Sequence, residues 1–197
     1  WGFLNRLPIS GPWSLVWKDM INCLRGFSFI LFLIPIVGIT LIALIANAPA
    51  ESGGPGKGLI AVMLISLMAF TNTSMAASSG FVDMLSRVDM LKPLPYSPGK
   101  TMFFEVVGKA VPGILTSIVI AIGAVFFMPS AWDHLVSGML LGIGAATVIS
   151  VCIGLATVLF PDIEDPSQRG LRGLVQLLVF AIFAVPPMGV YLSLLFA

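Results

Sequence analysis

Three carboxylates stand close together late in the chain, and they are the residues best suited by type to bind a divalent cation. Asp162, Glu164 and Asp165 precede two guanidinium groups, Arg169 and Arg172. Carboxylate oxygens are preferred ligands of hard divalent ions, so this segment could serve a membrane enzyme that modifies a lipid. The acids do not repeat at regular intervals on one helix face, and DIEDPSQR is typical of a loop. We therefore expect no catalytic residue and no metal site here, and lipid modification is an alternative function.

Metal and nucleotide chemistry have little support elsewhere in the sequence. The two cysteines, Cys23 and Cys152, are far apart, and His134 is the only histidine, so a metal site built on Cys and His is not expected. The 197 residues contain no GxxxxGK[ST] segment that could hold ATP phosphates. We predict no cofactor. The net charge of +1 also gives no electrostatic basis for binding nucleic acid.

A pair of opposite charges four residues apart marks a second segment. Asp83 and Arg87 can pair on a helix, and Ser86 lies on the same polar face, opposite an apolar one. Residues 81–91 are therefore predicted to form a short amphipathic helix, which ends because two prolines follow within the next turn. A helix lying on the lipid surface is the simpler interpretation, and a helix that docks on another protein is the second.

A further pair, Glu105 and Lys109, lies near the start of a long apolar helix. Ser97 is placed as the N-cap and Pro98 as the first helical residue. A helix from there to Phe127 has about 30 residues and measures about 45 Å, more than the hydrocarbon core of a bilayer. We expect the excess to project into the cytoplasm, where Glu105 and Lys109 form a solvated salt bridge rather than a catalytic pair.

The elements that carry these residues are predicted to be membrane helices. Of the residues, 58% are hydrophobic and 10% charged, and the mean hydropathy is +1.05, whereas soluble domains are about 45–50% apolar and about 25% charged. A span needs roughly 20 apolar residues. We therefore predict an all-α integral membrane protein with five transmembrane helices. The predicted spans are residues 27–47, 58–80, about 110–127, 135–160 and 173–197.

The basic residues predict the orientation of these spans. Nine of the ten Lys and Arg residues fall on one side, and only Lys57 falls on the other. By the positive-inside rule the N-terminus is cytoplasmic, and we expect the protein in the cytoplasmic membrane. Residues 1–26 form a cytoplasmic N-terminal segment, and residues 27–197 form the transmembrane domain. Within the first segment, residues 12–26 are predicted to form an amphipathic helix with two Trp, which suits an interfacial anchor.

A ladder of small residues four apart runs along the fourth predicted span and includes Gly138, Gly142 and Ala146. Small residues let helix backbones approach closely, so the ladder is a predicted packing face, either within one protomer or across a dimer.

Two further features within spans are exceptions to uniform apolar character. Asn72 requires a hydrogen-bonding partner or a water-lined route. Pro186 and Pro187 should break the last span, and the carbonyl groups they leave free should face protein or a wet cavity, because lipid cannot satisfy them.

The order of these elements, with the segments LKPLPYSPGK and FPDIEDPSQRGLRGL, resembles the permease half of ABC-2-type exporters. The resemblance implies that residues 12–26 are an elbow helix. It also implies that residues 81–91 are a coupling helix, whose Asp83, Ser86 and Arg87 dock on a nucleotide-binding ATPase subunit. Such permeases normally have six spans, whereas five are predicted here, a departure that fits a chain cut after Ala197, because both ends of the sequence resemble truncations.

The resulting functional prediction is the membrane-spanning permease part of an ATP-driven exporter. ATP hydrolysis is expected in a partner subunit, so the chain itself is not predicted to be an enzyme. Its expected partners are that ATPase subunit, a second permease half or a second copy of the chain, and the lipid bilayer. The lipid-modifying enzyme and an accessory membrane subunit without transport of its own are the alternatives.

Overall fold

The computed structural model describes residues 11–26, 28–48, 56–86 and 97–161, together with 165, 167–168, 170–179 and 181–182. Its regular elements are all helical in those ranges, which agrees with the predicted all-α class. The helices are α1 (Trp13–Gly26), α2 (Ser28–Ala46), α3 (Gly56–Ser86), α4 (Pro98–Val125), a 3₁₀ turn (Pro129–Ala131), α5 (Trp132–Leu159) and α6 (Gly170–Val179).

Three of the described helices are long and apolar enough to cross a membrane. They cover Gly56–Met84, Pro98–Val125 and Pro129–Leu159. Two shorter apolar helices, Leu33–Ala46 and Gly170–Val179, fall within or beside predicted spans. An integral membrane protein is therefore supported, and five crossings stay a prediction.

Helix α3 is longer than the sequence pattern predicted. We expected a span that ended near residue 80 and a separate helix over 81–91, but residues 81–86 are the last six residues of α3. Phe81 is fully buried and packs into a cluster with Cys152 and Ile153 of α5, so the helix is held in the bundle beyond the predicted end. No proline interrupts it. Residues 87–91 lie outside the described part of the chain.

Helices α3, α4 and α5 pack against one another around two apolar clusters. Both clusters draw on the periodic apolar positions of these helices, with α2 covering one side of the first. The first cluster contains Ile42, Ala61, Ile65, Ile120, Ala121, Ala124, Met128 and Leu135. The second contains Ala77, Phe81, Ile149, Cys152 and Ile153.

A layer of small and polar residues separates the two clusters. The Asn72 side-chain amide donates a hydrogen bond of 2.5 Å to the Thr116 hydroxyl, which in turn donates to the Pro112 carbonyl at 2.8 Å. Helices α3 and α4 approach each other closely at Gly113, where a Cβ atom would overlap the hydroxyl of Thr73. The Thr73 hydroxyl is buried and has no hydrogen-bonding partner among the described residues.

The predicted small-residue ladder of α5 faces this interior. Gly138, Gly142 and Ala146 are all buried. A Cβ atom at Gly138 would lie 3.1 Å from the Val62 Cα of α3, and one at Gly142 would lie 2.5 Å from the Ser117 Oγ of α4. In the structure these residues therefore pack within one protomer.

Candidate functional site: a buried ring of four charges

Helix α1 packs mainly on the first turns of α4. Its buried face contains Leu15 and Asp19, four residues apart and therefore on one side of the helix. The Trp13 ring meets the Phe104 ring edge-on at a centroid distance of 5.1 Å, while 57% of Trp13 stays exposed. The predicted interfacial helix is therefore also docked on protein.

At this contact two residues of α1 and two of α4 form a closed ring of alternating charge, which we name the charge ring: Lys18, Asp19, Glu105 and Lys109. Two ion pairs join the helices, Lys18 Nζ to Glu105 Oε1 at 2.7 Å and Lys109 Nζ to Asp19 Oδ2 at 2.7 Å. Two longer pairs lie within a helix, Lys18 Nζ to Asp19 Oδ1 at 3.5 Å and Lys109 Nζ to Glu105 Oε2 at 3.5 Å.

Most of the charge ring is removed from solvent. The side chains of Asp19, Glu105 and Lys109 are 2%, 0% and 8% exposed, whereas that of Lys18 is 44% exposed. The prediction that Glu105 and Lys109 form a solvated salt bridge is therefore wrong, because α1 covers the part of α4 on which they lie. The four charges sum to zero, which lowers the cost of their burial.

Two glycines provide the space that the charge ring occupies. A Cβ atom at Gly108 would lie 2.7 Å from Asp19 Oδ2 and 3.1 Å from its Cβ. A Cβ atom at Gly80 would overlap the end of the Lys109 side chain, at 2.7 Å from Cδ and 2.9 Å from Nζ. Gly108 therefore lets α1 approach α4, and Gly80 lets Lys109 pass across α3.

The hydrogen bonds of the charge ring are unequal. Lys18 donates a hydrogen bond of 2.7 Å to Glu105. The 2.7 Å contact between Lys109 and Asp19 is an ion pair without hydrogen-bond geometry. Asp19 Oδ2 and Glu105 Oε2 are both buried and accept no hydrogen bond within the described ranges. Coulomb attraction therefore carries much of the contact, and it is strong where water is excluded.

The surroundings shift the pKa values of the two α1 residues. Burial raises the pKa of Asp19, and the positive charge of Lys109 opposes this shift without cancelling it. Burial alone lowers the pKa of Lys18, but the hydrogen bond to Glu105 and the negative charges of Asp19 and Glu105 outweigh it, so that pKa is raised.

The residues predicted to dock on a partner lie at the far end of α3. The Asp83 side chain is exposed, and Ser86 is the last residue of the helix. Arg87 lies outside the described residues, as do Pro186 and Pro187. Asn72 has the partner that the sequence required, Thr116 of α4.

The late acidic segment is described only in part. Asp165 Oδ1 accepts hydrogen bonds from the Ser167 amide at 2.9 Å and from its hydroxyl at 2.8 Å, and these bonds lower the pKa of Asp165. Asp162 and Glu164 lie outside the described part. Where the structure describes the chain, no group of three His, Cys, Asp or Glu side chains is arranged to hold a metal ion.

Sequence reasoning did not identify Asp19 as a site residue, because the helical spacing of residues 12–26 places it with the polar residues of α1. The structure shows that Asp19 lies on the buried side of the helix together with Leu15. A buried carboxylate requires a partner of opposite charge. Which residue is that partner depends on a contact between segments that are distant in sequence, and no local pattern indicates it.

Comparison with known proteins supports a membrane transport role for this helical arrangement. The family model described as "Putative ABC exporter" matches residues 4–197, nearly the whole chain. Neither the curated proteins nor the solved structures gave a match. A family that comprises ABC exporters implies an ATPase partner in general, and its match agrees with the resemblance noted from LKPLPYSPGK and FPDIEDPSQRGLRGL. The chain belongs to this family of ABC exporters, and it is a membrane protein related to transport.

Proposed function

We propose that this chain is the permease part of an ATP-driven exporter in the cytoplasmic membrane, energised by a separate nucleotide-binding subunit. The single observation that supports this best is the family match over residues 4–197. The three helices that are long and apolar enough to cross a membrane support the same proposal. A second permease half, or a second copy of this chain, completes the transporter.

The absence of a P-loop motif from these 197 residues supports a division of labour between two polypeptides. An ATP site requires a loop whose backbone N–H groups cradle the phosphates. In this proposal ATP hydrolysis belongs to the partner, and this chain is not itself an enzyme.

The continuity of α3 supports a specific path from the ATPase to the spans. The proposed docking residues Asp83 and Ser86 belong to the same helix as Asn72 and Thr73 in the polar layer. A partner that displaces the end of α3 therefore displaces the interior of the bundle directly, without an intervening loop.

Copurification tests the docking proposal. Arg87→Glu should release a copurifying ATPase or leave ATP hydrolysis uncoupled from transport, while expression and membrane insertion stay normal. Lys100→Glu is the matched control, since it makes the same charge change at an exposed position of α4. If Arg87→Glu retains the ATPase as well as wild type does, while Leu85→Asp does not, the segment is a lipid anchor and the docking proposal fails.

The orientation has its own test. Single cysteines at Ser52 and Ser167, treated with an impermeant thiol reagent in sealed cells, should be labelled only at position 52. Labelling at position 167 alone, or at both positions, would contradict a cytoplasmic N-terminus.

A further inference from the structure

The charge ring has a property that a simple salt bridge lacks. Each helix contributes one cation and one anion, Lys18 and Asp19 on α1 and Glu105 and Lys109 on α4. Each residue already has two partners of opposite charge, one across the interface at 2.7 Å and one on its own helix at 3.5 Å. The within-helix distances need to shorten by less than 1 Å to equal those across the interface.

We infer that the charge ring is a separable joint, at which α1 can leave α4 while the four charges exchange partners. In the closed joint Lys18 pairs with Glu105, and Asp19 pairs with Lys109. In the open joint Lys18 pairs with Asp19, and Lys109 pairs with Glu105. No charge of the ring is left alone in either state.

The energetic reason is the cost of an isolated charge in a medium from which water is excluded. When one partner of a buried pair is removed, the remaining charge is strongly destabilising as long as it stays buried. If only Asp19 and Lys109 were present, separation of the helices would isolate one charge on each. With all four residues, each helix keeps an ion pair after separation. The electrostatic cost of separation is then only the difference between the pairing across the interface and the pairing within each helix.

The local geometry leaves room for this exchange. The two cations are lysines, whose flexible four-carbon stems move the charge easily, and Lys18 is already 44% exposed. Helix α1 ends at Gly26 and α2 begins at Ser28, so only a short connection joins α1 to the spans. Its described packing is mainly on α4, so the joint is its principal attachment.

Two double substitutions distinguish a separable joint from a fixed contact, in which the ion pairs across the interface only hold α1 on α4. Each removes one cation and one anion, and both include Asp19→Asn. Asp19→Asn with Lys109→Met leaves one charge on each helix, so separation would isolate both charges. Lys18→Met with Asp19→Asn leaves Glu105 and Lys109 as a neutral pair on α4, with no ion pair across the interface.

The measurement is the distance between spin labels on Asn22 and Gly99, by pulsed electron paramagnetic resonance in lipid nanodiscs. Both positions are exposed and lie outside the ring. Cys23 and Cys152 are first replaced by alanine. The readout is the ratio of the long-distance population to the short-distance population. The measurement requires neither ATP nor a partner, so its result is independent of the proposed function.

For a separable joint, the variant with Asp19→Asn and Lys109→Met should be more closed than wild type. Its ratio should fall by about tenfold, the effect of a single charge-assisted hydrogen bond. The variant with Lys18→Met and Asp19→Asn should be more open than wild type. A control with Lys100→Met and Asp133→Asn, which removes one charge of each sign elsewhere, should leave the ratio unchanged.

A fixed contact predicts the opposite change in the ratio for the variant with Asp19→Asn and Lys109→Met. Both double variants then open the joint relative to wild type, and that result, or an unchanged ratio in both, overturns the inference. Gly108→Ala provides a second test that keeps all four charges. Its added methyl group would meet Asp19 at 2.7–3.3 Å, so it should raise the long-distance population while the spans stay folded. Unfolding of the protein by this single methyl group would also overturn the exchange of partners.

Discussion

The substitution Gly113→Ala tests the packing of α3 against α4 at a point where the two helices are in close contact. The added methyl group would overlap the Thr73 hydroxyl and would lie 2.7 Å from the Ala69 carbonyl oxygen and 2.9 Å from the Ala146 Cβ. One of these neighbours is backbone and cannot rotate away, so α3 and α4 must separate by several tenths of an ångström. We expect a clear loss of stability.

The magnitude follows from two opposing effects. Overpacking typically costs about 1–3 kcal/mol, occasionally more, and contact with three neighbours on two helices places Gly113→Ala at the upper end. Alanine is favoured over glycine within a helix by about 1 kcal/mol. The expected net loss in free energy of unfolding is therefore about 2 kcal/mol. Gly144→Ala is the matched control, because a Cβ atom there meets nothing within 4 Å, and it should gain up to about 1 kcal/mol.

The assay is reversible unfolding in mixed micelles as sodium dodecyl sulfate is added, followed by circular dichroism. Thr73→Ala combined with Gly113→Ala should recover part of the loss, since it removes the overlapping hydroxyl but leaves the contact with the Ala69 carbonyl. The reasoning is refuted if Gly113→Ala is as stable as Gly144→Ala, or if the double substitution recovers nothing.

Three further predictions concern hydrogen bonds donated by basic side chains. Lys57 Nζ donates to the Ala48 carbonyl at 2.8 Å, so Lys57→Met should loosen the end of α2 by about 0.5–1 kcal/mol, seen as faster hydrogen exchange there and not in α5. Arg172 Nη2 donates a hydrogen bond of 2.6 Å to the Thr157 hydroxyl. Thr157→Val should therefore lower the free energy of unfolding by about 1–2 kcal/mol, because it removes a hydrogen bond from a charged donor, and equal stability would contradict this. The pKa of Lys18 is raised in the folded state, so its stabilising contribution is complete below the ordinary lysine pKa and is lost as the pH rises through the raised one. The difference in thermal stability between wild type and Lys18→Met should therefore shrink at alkaline pH, and a constant difference would count against it.

Hydropathy alone was sufficient to predict the helical class and the positions of the long apolar helices. The predicted helix from Pro98 to Phe127 is observed as Pro98–Val125. Its start could be predicted because it depends on local signals, namely Ser97 as N-cap and Pro98 at the first helical position. The Ser97 hydroxyl makes no capping bond. Local sequence therefore predicted where this helix begins, but not which contacts stabilise its first turn.

Contacts between distant segments were beyond the reach of the sequence. Lys18 and Glu105 are 87 residues apart, and no local pattern indicates that α1 folds back on α4. The amphipathic pattern of residues 81–91 was similarly ambiguous. Phe81 belongs to an apolar face that could lie on lipid or inside the bundle, and only its burial against Ile153 and Cys152 shows that α3 continues.

The unbroken length of α3 has a mechanical consequence. Its 31 residues span about 46 Å at 1.5 Å per residue, and Thr73, at the tight contact with Gly113, lies near the middle. The helix is also packed on both sides of that contact, through Ile65 and Phe81, so it is held along its length and its two ends are mechanically connected. Ser86 is about 20 Å from Thr73, and Gly56 is about 26 Å away on the other side. A displacement of the Ser86 end along the helix axis therefore moves the Gly56 end, about 46 Å away, in the same direction.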